Sequence, residues 1–211
     1  MDSLTMKPEE IETESFRIID TEVGEHEWPR AEWEVVRRVI HTSADFEYAG
    51  SMLFSDGVVE KAIEALKSGA GIVTDTKMAL SGISKPRLLP FGCRLTCHVA
   101  DPDVAELASR EGITRSIAAM RKAASDPANR IFVIGNAPTA LFELLRLIQS
   151  GQAEPALIIG LPVGFVGAEE SKNSLATSGH GIPFITNIGR KGGSNAAAAV
   201  VNALTILAGR R

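Results

Sequence analysis

The sequence predicts an α/β protein, a three-layer fold in which a mainly parallel sheet is flanked by helices. Ile131-Phe132-Val133-Ile134-Gly135 is an apolar run without polar alternation, the signature of a strand buried on both faces of a parallel sheet. Similar runs recur at Ala156–Gly160 and Pro183–Ile188, and each leads through a Gly- or Pro-marked loop into a helical pattern. Strand, loop and helix three times in succession call for right-handed crossovers between parallel strands.

In chain order, residues 1–28 are acidic and irregular, with Glu9, Glu10, Glu12 and Glu14 clustered before Ser15 and Phe16. They predict a solvated helix face or a frayed terminus, peripheral over residues 1–14. Pro29 suits a first helical position, and Trp33, Val36 and Ile40 recur at three- and four-residue spacing, so an amphipathic helix ends near His41. A second helix opens at a Ser55 or Asp56 cap, carries Val59, Ala62, Ile63 and Leu66 on one face, and closes at Gly69. Gly71–Asp75 reads as a short buried strand, Thr76–Ser81 as a helical turn, and Ile83–Pro90 as a loop. Arg94–Val99 alternates as a strand. Val104–Arg110 is a short helix ended near Gly112, and Thr114 caps another that carries Ile117, Met120 and Ala124. The helix with Leu141, Leu144, Leu145 and Ile148 ends at Gly151; Glu169–Ala176 and the alanine-rich stretch from Asn195 to about Leu207 are the last two.

At 211 residues the chain is long enough for one sizeable core, and it reads as a single domain over 1–211. Its hydrophobic content of 45% and charged content of 23% are those of an ordinary globular protein. A formal net charge of −4 argues against a sequence-independent grip on nucleic acid. No apolar run is long enough to span a bilayer and no secretory signal is evident, so the cytoplasm is the expected location, with no membrane partner. Cys93 and Cys97 are spaced C-x-x-x-C, which is not a redox C-x-x-C, and two thiols do not complete a zinc site; they read as buried small hydrophobes on a strand. No metal site and no cofactor are expected.

In an open parallel sheet ligands gather at the carboxyl ends of the strands. The loops Gly135–Thr139, Leu161–Ala168 and Gly189–Ser194 leave such ends and are expected to line one rim. The last is Gly-rich, basic and at a helix N-terminus, suited to an anion such as a carboxylate. It is neither a Rossmann nor a Walker fingerprint. Arg115, Lys172, Arg190 and Lys191 are candidate cations for that rim, each equally readable as ordinary surface charge. Met78, Leu161, Val163, Phe165 and Val166 are candidate apolar walls, or core. His41 by itself is open between an imidazole favoured at a helix C-terminus and a general acid, the role for which only histidine has an unperturbed pKa near neutrality. His98, on the predicted strand, and His180, between two glycines, are rival imidazoles.

The segment Val39-Ile40-His41-Thr42-Ser43-Ala44-Asp45-Phe46-Glu47-Tyr48-Ala49 resembles the histidine-bearing signature of the precorrin-8X methylmutases of vitamin B12 biosynthesis. Residues 131–150, residues 156–172 and Gly189–Ser194 are similar to the same family, and the likeness runs from about Ser15 to the final helix. The resemblance implies an isomerase that moves a methyl group between adjacent carbons of ring C of a corrinoid precursor, with His41 as the proton donor. It implies a substrate site drawing on Ser15, Arg115, Asn136, Lys172, Gly192, Gly193 and Ser194, a homodimer with the site near the subunit contact, and hand-over of product to the next pathway enzyme. The alanine-rich last helix and the exposed-looking Phe46 and Tyr48 are compatible with such a dimer. Whether Asp45 orients the imidazole is open. A corrinoid carrier with secondary turnover and a nucleotide-dependent enzyme using Gly189–Ser194 are the competing readings.

Overall fold

The computed structural model describes residues 7–177 and 181–210. Its elements, in order, are α1 (Pro8–Val23), α2 (Arg30–Ser43), α3 (Tyr48–Ser51), β1 (Met52–Phe54), α4 (Val58–Lys67), β2 (Gly71–Thr74), α5 (Lys77–Gly82), α6 (Lys85–Leu88) with a 3-10 turn at Leu89–Phe91, and β3 (Leu95–Thr96). There follow α7 (Pro102–Glu111), α8 (Arg115–Ala124), β4 (Asn129–Ile134), α9 (Pro138–Gln149), β5 (Leu157–Gly160), α10 (Ala168–Thr177), β6 (Phe184–Asn187) and α11 (Ser194–Arg210).

The strands form one sheet in the order β1-β6-β5-β4-β2-β3. All neighbours are parallel except β1, which runs antiparallel to β6 through Met52–Asn187, Leu53–Thr186 and Phe54–Ile185. Side chains alternate faces along each strand, and both faces are apolar. Ile72, Ile131, Val133, Leu157, Ile159 and Ile185 point into a core shared with α1, α2, α4 and α11. Val73, Phe132, Ile134 and Ile158 point the other way, onto α8, α9 and α10. The expected three layers are present.

The differences from the sequence reading are local. Of the two readings of the acidic stretch before Ser15, the solvated helix face holds: it forms the first turns of α1, with Glu9 and Glu10 exposed and Glu12 paired with Arg38 of α2. Pro29 stands just outside α2, whose first residue is Arg30. The loop expected at Ile83–Pro90 contains α6, because Pro86 sits in a first turn where its missing N–H costs nothing. The strand expected over Arg94–Val99 pairs only through Leu95 and Thr96, so His98 lies beyond it and Cys93 before it. Both cysteines are half-buried; Cys93 Sγ donates to the Leu66 carbonyl. Tyr48 is buried, not exposed, with its hydroxyl near the Gly192 carbonyl. The alanine-rich helix is core: Ala196–Val201, Ala203, Leu204, Leu207 and Ala208 of α11 are buried, packed chiefly on α2 with α4 and α5 beside it. A helix apolar nearly all round is an interior helix, so it offers no broad face for association.

Candidate active site

The sheet order creates a switch point. From β2 the chain passes to β3 on one side, and from β4 to β5 on the other, so the exits of β2 and β4 diverge and leave a crevice between them. Asp75, the first residue after β2, crosses it. One carboxylate oxygen accepts the Gly135 N–H at 3.0 Å, and the other accepts those of Asn136 and Ala137 at 2.8 Å each. Burial pushes the Asp75 carboxyl up, against three N–H donors that hold it down. A run of N–H groups at a helix start is ready-made for an anion. Here the chain supplies that anion itself, which leaves Asn136 exposed at the lip.

The three expected rim loops do meet. A Cβ on Gly135 would stand 2.7 Å from Ser194 Cα, and one on Gly192 would stand 2.2 Å from the Leu161 carbonyl oxygen, so both positions exclude a side chain. The Gly193 N–H donates to that same carbonyl at 2.9 Å, and the Gly164 N–H donates to the Arg190 carbonyl at 3.1 Å. The hydroxyls of Ser194 and Thr76 lie 2.8 Å apart, joining the start of α11 to the exit of β2. Arg115 is exposed at the start of α8, and the neighbouring Thr114 hydroxyl lies 3.3 Å from that of Thr139 in the first turn of α9.

His41 occupies the last turn of α2 and is exposed. Its imidazole meets the Phe16 ring edge-on, centroids 5.2 Å apart, while the guanidinium groups of Arg37 and Arg38 lie over the same ring at 4.5 and 5.0 Å. Phe16 thus brings α1 against the histidine; Ser15, one residue earlier, spends its hydroxyl on the Ile11 carbonyl. His41, Arg38 and Thr42 line a cleft of about 180 Å³ with Gly82 and, from α11, Asn195 and Ala198. Asn195 follows Ser194 directly, so the cleft opens beside the glycine loop. A larger cavity of about 260 Å³, under Pro183 and Phe184, lies at the opposite, amino-terminal edge of the strands and shares no residue with this rim.

The four cations differ in standing. Lys172 is buried under the glycine loop, its Nζ donating to the Lys191 carbonyl at 2.6 Å and to Asn187 Oδ1 at 3.2 Å. Burial pulls its pKa down to about 8, against the charge of Glu169, which acts the other way. Lys191 is paired with Asp45 and Glu47. Asp45 therefore faces a lysine, and the sequence question about the imidazole is answered by a different partner. Arg190 lies over the Phe165 ring at 5.7 Å, and Arg115 has no ion pair among the described residues. Of the apolar candidates, Met78, Val163, Phe165 and Val166 are exposed, the last two at 85% and 89%, whereas Leu161 belongs to the core. His98 is paired with Asp101, Nδ1 to Oδ2 at 2.9 Å, and His180 falls outside the described residues. The sequence singled out neither Asp75 nor Phe16 for the site, and offered Tyr48 only as an exposed-looking residue of a subunit contact. Phe16, next to Ser15, and Tyr48, inside the histidine-bearing segment, each stood beside a signal, whereas Asp75 did not.

A doubly wound α/β sheet with a glycine loop, an exposed imidazole and apolar side chains on one rim defines an open-sheet enzyme for a small molecule. A model of the precorrin-8X methylmutase family matches residues 10–207, and the chain belongs to that family. The cobalt-precorrin-8 methylmutase of Priestia megaterium is 49% identical across 97% of this chain and 90% of the relative. The precorrin-8X methylmutase of a Sinorhizobium species is 41% identical, covering 90% of each. The crystal structure of the precorrin-8X methylmutase of Thermus thermophilus superposes with a TM-score of 0.86 at 42% identity, over 95% of this chain and 98% of that one. The protein is an isomerase of cobalamin biosynthesis, an intramolecular methyl transferase. Among the described residues no helix is long and apolar enough to cross a membrane.

Proposed function

We propose that the chain, as one domain over residues 1–211, moves a methyl group from C-11 to C-12 of ring C. It would convert precorrin-8X to hydrogenobyrinate, or cobalt-precorrin-8 to cobyrinate, with His41 as general acid. The observation that supports this most is the exposed imidazole at the end of α2, in a cleft lined from α11 by Asn195, the residue that follows the glycine loop. The rearrangement is unimolecular, so it needs neither an acyl-enzyme nor a hydride donor. A proton delivered to the conjugated ring makes the system electron-poor and eases migration, and His41 takes the proton back afterwards. For the migrating methyl, orientation matters less than electrostatics, because it and its acceptor carbon already share one molecule, whereas the proton donor must be placed by the protein.

The polyacidic ring sits on the rim. The exposed Arg115 and Asn136 and the loop Gly192-Gly193-Ser194 at the start of α11 receive its carboxylates. Ser15 approaches from α1, and Lys172 contributes its charge from beneath the loop. Met78, Val163, Phe165 and Val166 present apolar surface to the ring's face. The cleft at His41, about 180 Å³, is smaller than the 300–1,000 Å³ or so that enclose most small-molecule ligands. A second copy of the chain completes the wall, so the working unit is a homodimer. No cofactor is required, the reaction belongs in the cytoplasm, and the product passes to the next enzyme of the pathway.

His41→Ala tests the chemistry. The variant is expected to bind and colour with corrinoid while turnover falls by at least about a hundred-fold. Unchanged turnover removes His41 from the mechanism. Visible spectra of the protein incubated with the metal-free and the cobalt-containing substrate identify which one it converts.

A further inference from the structure

The two parts of the site come from distant stretches of chain, and one side chain ties them together. Lys191 stands in the glycine loop, with Nζ 2.6 Å from Asp45 Oδ2 and 2.8 Å from Glu47 Oε2. The other oxygen of Asp45 accepts the Glu47 N–H at 3.0 Å, which keeps the two acids side by side. Both belong to the turn that leaves α2 after Ser43, two residues beyond His41. That turn is strained: Ala44, without the freedom of glycine, sits in the left-handed region at φ 53. The backbone of Lys191 is fixed from the other side, its carbonyl accepting Lys172 Nζ at 2.6 Å and Asn187 Nδ2 at 3.0 Å. One residue on, the Tyr48 hydroxyl donates to the Gly192 carbonyl at 3.4 Å.

A lysine held by two carboxylates is poorly suited to meet a third on the substrate. Its charge is already matched, and two of its three donors are spent. What the contacts do accomplish is geometric, because they join the loop under the ring to the helix that carries the imidazole. We propose that Lys191 is a positioning residue, which through Asp45 and Glu47 sets the distance between the glycine loop and His41. This rests on the reading of His41 as proton donor and names what places that donor.

The test uses the full chain with its corrinoid substrate, measuring steady-state turnover alongside a visible-spectrum titration of corrinoid binding. Lys191→Met is expected to lower kcat at least about tenfold, since small misplacements of reacting groups cost rate steeply, while corrinoid affinity changes by less than about threefold. Lys191→Arg, whose guanidinium spans both carboxylates, is expected to return kcat to within about threefold of the parent. Asp45→Asn with Glu47→Gln reproduces the loss, and adding Lys191→Met to that pair loses nothing more. Wild-type kcat in Lys191→Met overturns the proposal, as do losses that multiply. So does lost affinity with kcat intact, which makes Lys191 a substrate contact. Should Lys191→Met melt below the assay temperature, the Asp45→Asn and Glu47→Gln variants carry the same comparison. The two readings fail apart: an active Lys191→Met beside an inactive His41→Ala removes the clasp alone, and an active His41→Ala removes both.

Discussion

At the residue scale, Asp75 and Lys172 hold the rim in shape from below. Each is an ionisable group buried almost completely, and each is answered mainly by backbone groups of a loop that the site uses. Asp75→Ala would leave the N–H groups of Gly135, Asn136 and Ala137 buried or half-buried without their acceptor. An orphaned buried donor costs roughly 1–3 kcal/mol, and partial access to water relieves part of it, so a total loss of about 3 kcal/mol is expected. Urea unfolding reads it; a loss below about 1 kcal/mol would mean that water replaces the carboxylate. The sequence showed His41 at a helix end because helical periodicity counts turns. It could not show that Lys172 points under the loop, because Glu169–Ala176 is too polar for its pattern to assign an inner face.

At the element scale, the strongly periodic or uniformly apolar segments were legible and the short ones were not. β4, β5 and β6 announce themselves as Ile- and Val-rich runs, and α9 by its leucines. β1 is three residues long, and its place is set by pairing with β6 and by the contact of Phe54 with Trp28, neither of which is local. α11 was legible as a helix but not as an interior one, because alanine is equally at home inside and outside. Its small side chains permit close approach: a Cβ on Gly82 would lie 2.9 Å from that of Ala198. On the other face, α8 and α9 are joined by Glu143, which accepts from Arg121 at 2.7 Å and from Arg146 at 2.7 and 3.0 Å. Burial pushes its carboxyl up, but the hydrogen bonds from Arg146 and Arg121 outweigh that and hold it below the ordinary carboxylate range. A lowered folded value means that this pairing stabilises the protein above the unfolded value of about 4.3, and the contribution fades as pH falls through the folded one. Glu143→Gln is expected to cost about 1 kcal/mol at pH 7, a modest figure because both arginines are partly exposed, and to cost progressively less in acid. Melting curves across pH 3–7 (an illustrative window of about four units) check the convergence.

At the scale of the whole molecule, strand order decides where the site lies. The alternation of runs and helices predicts a parallel sheet but not which strand sits beside which. That the exits of β2 and β4 diverge follows from β3 and β4 taking opposite sides of β2, a choice made by long-range packing. The rim loops were legible as a group, because strand exits in such a sheet share one edge. The proposed dimer is likewise a property of the whole: sedimentation at micromolar concentration is expected to give twice the chain mass of 22.5 kDa, and a persistent 22.5 kDa species counts against it.

The strands that end the sheet are its shortest: β1 with three residues on one side, β3 with two on the other. The Ile- and Val-rich strands between them are the kind that template fibrils when left open to a neighbour. With such brief borders there is little ladder for a stranger to zip onto. The protein therefore gains resistance to aggregation from its least regular segments, and lengthening either border strand is a change that its solubility would register first.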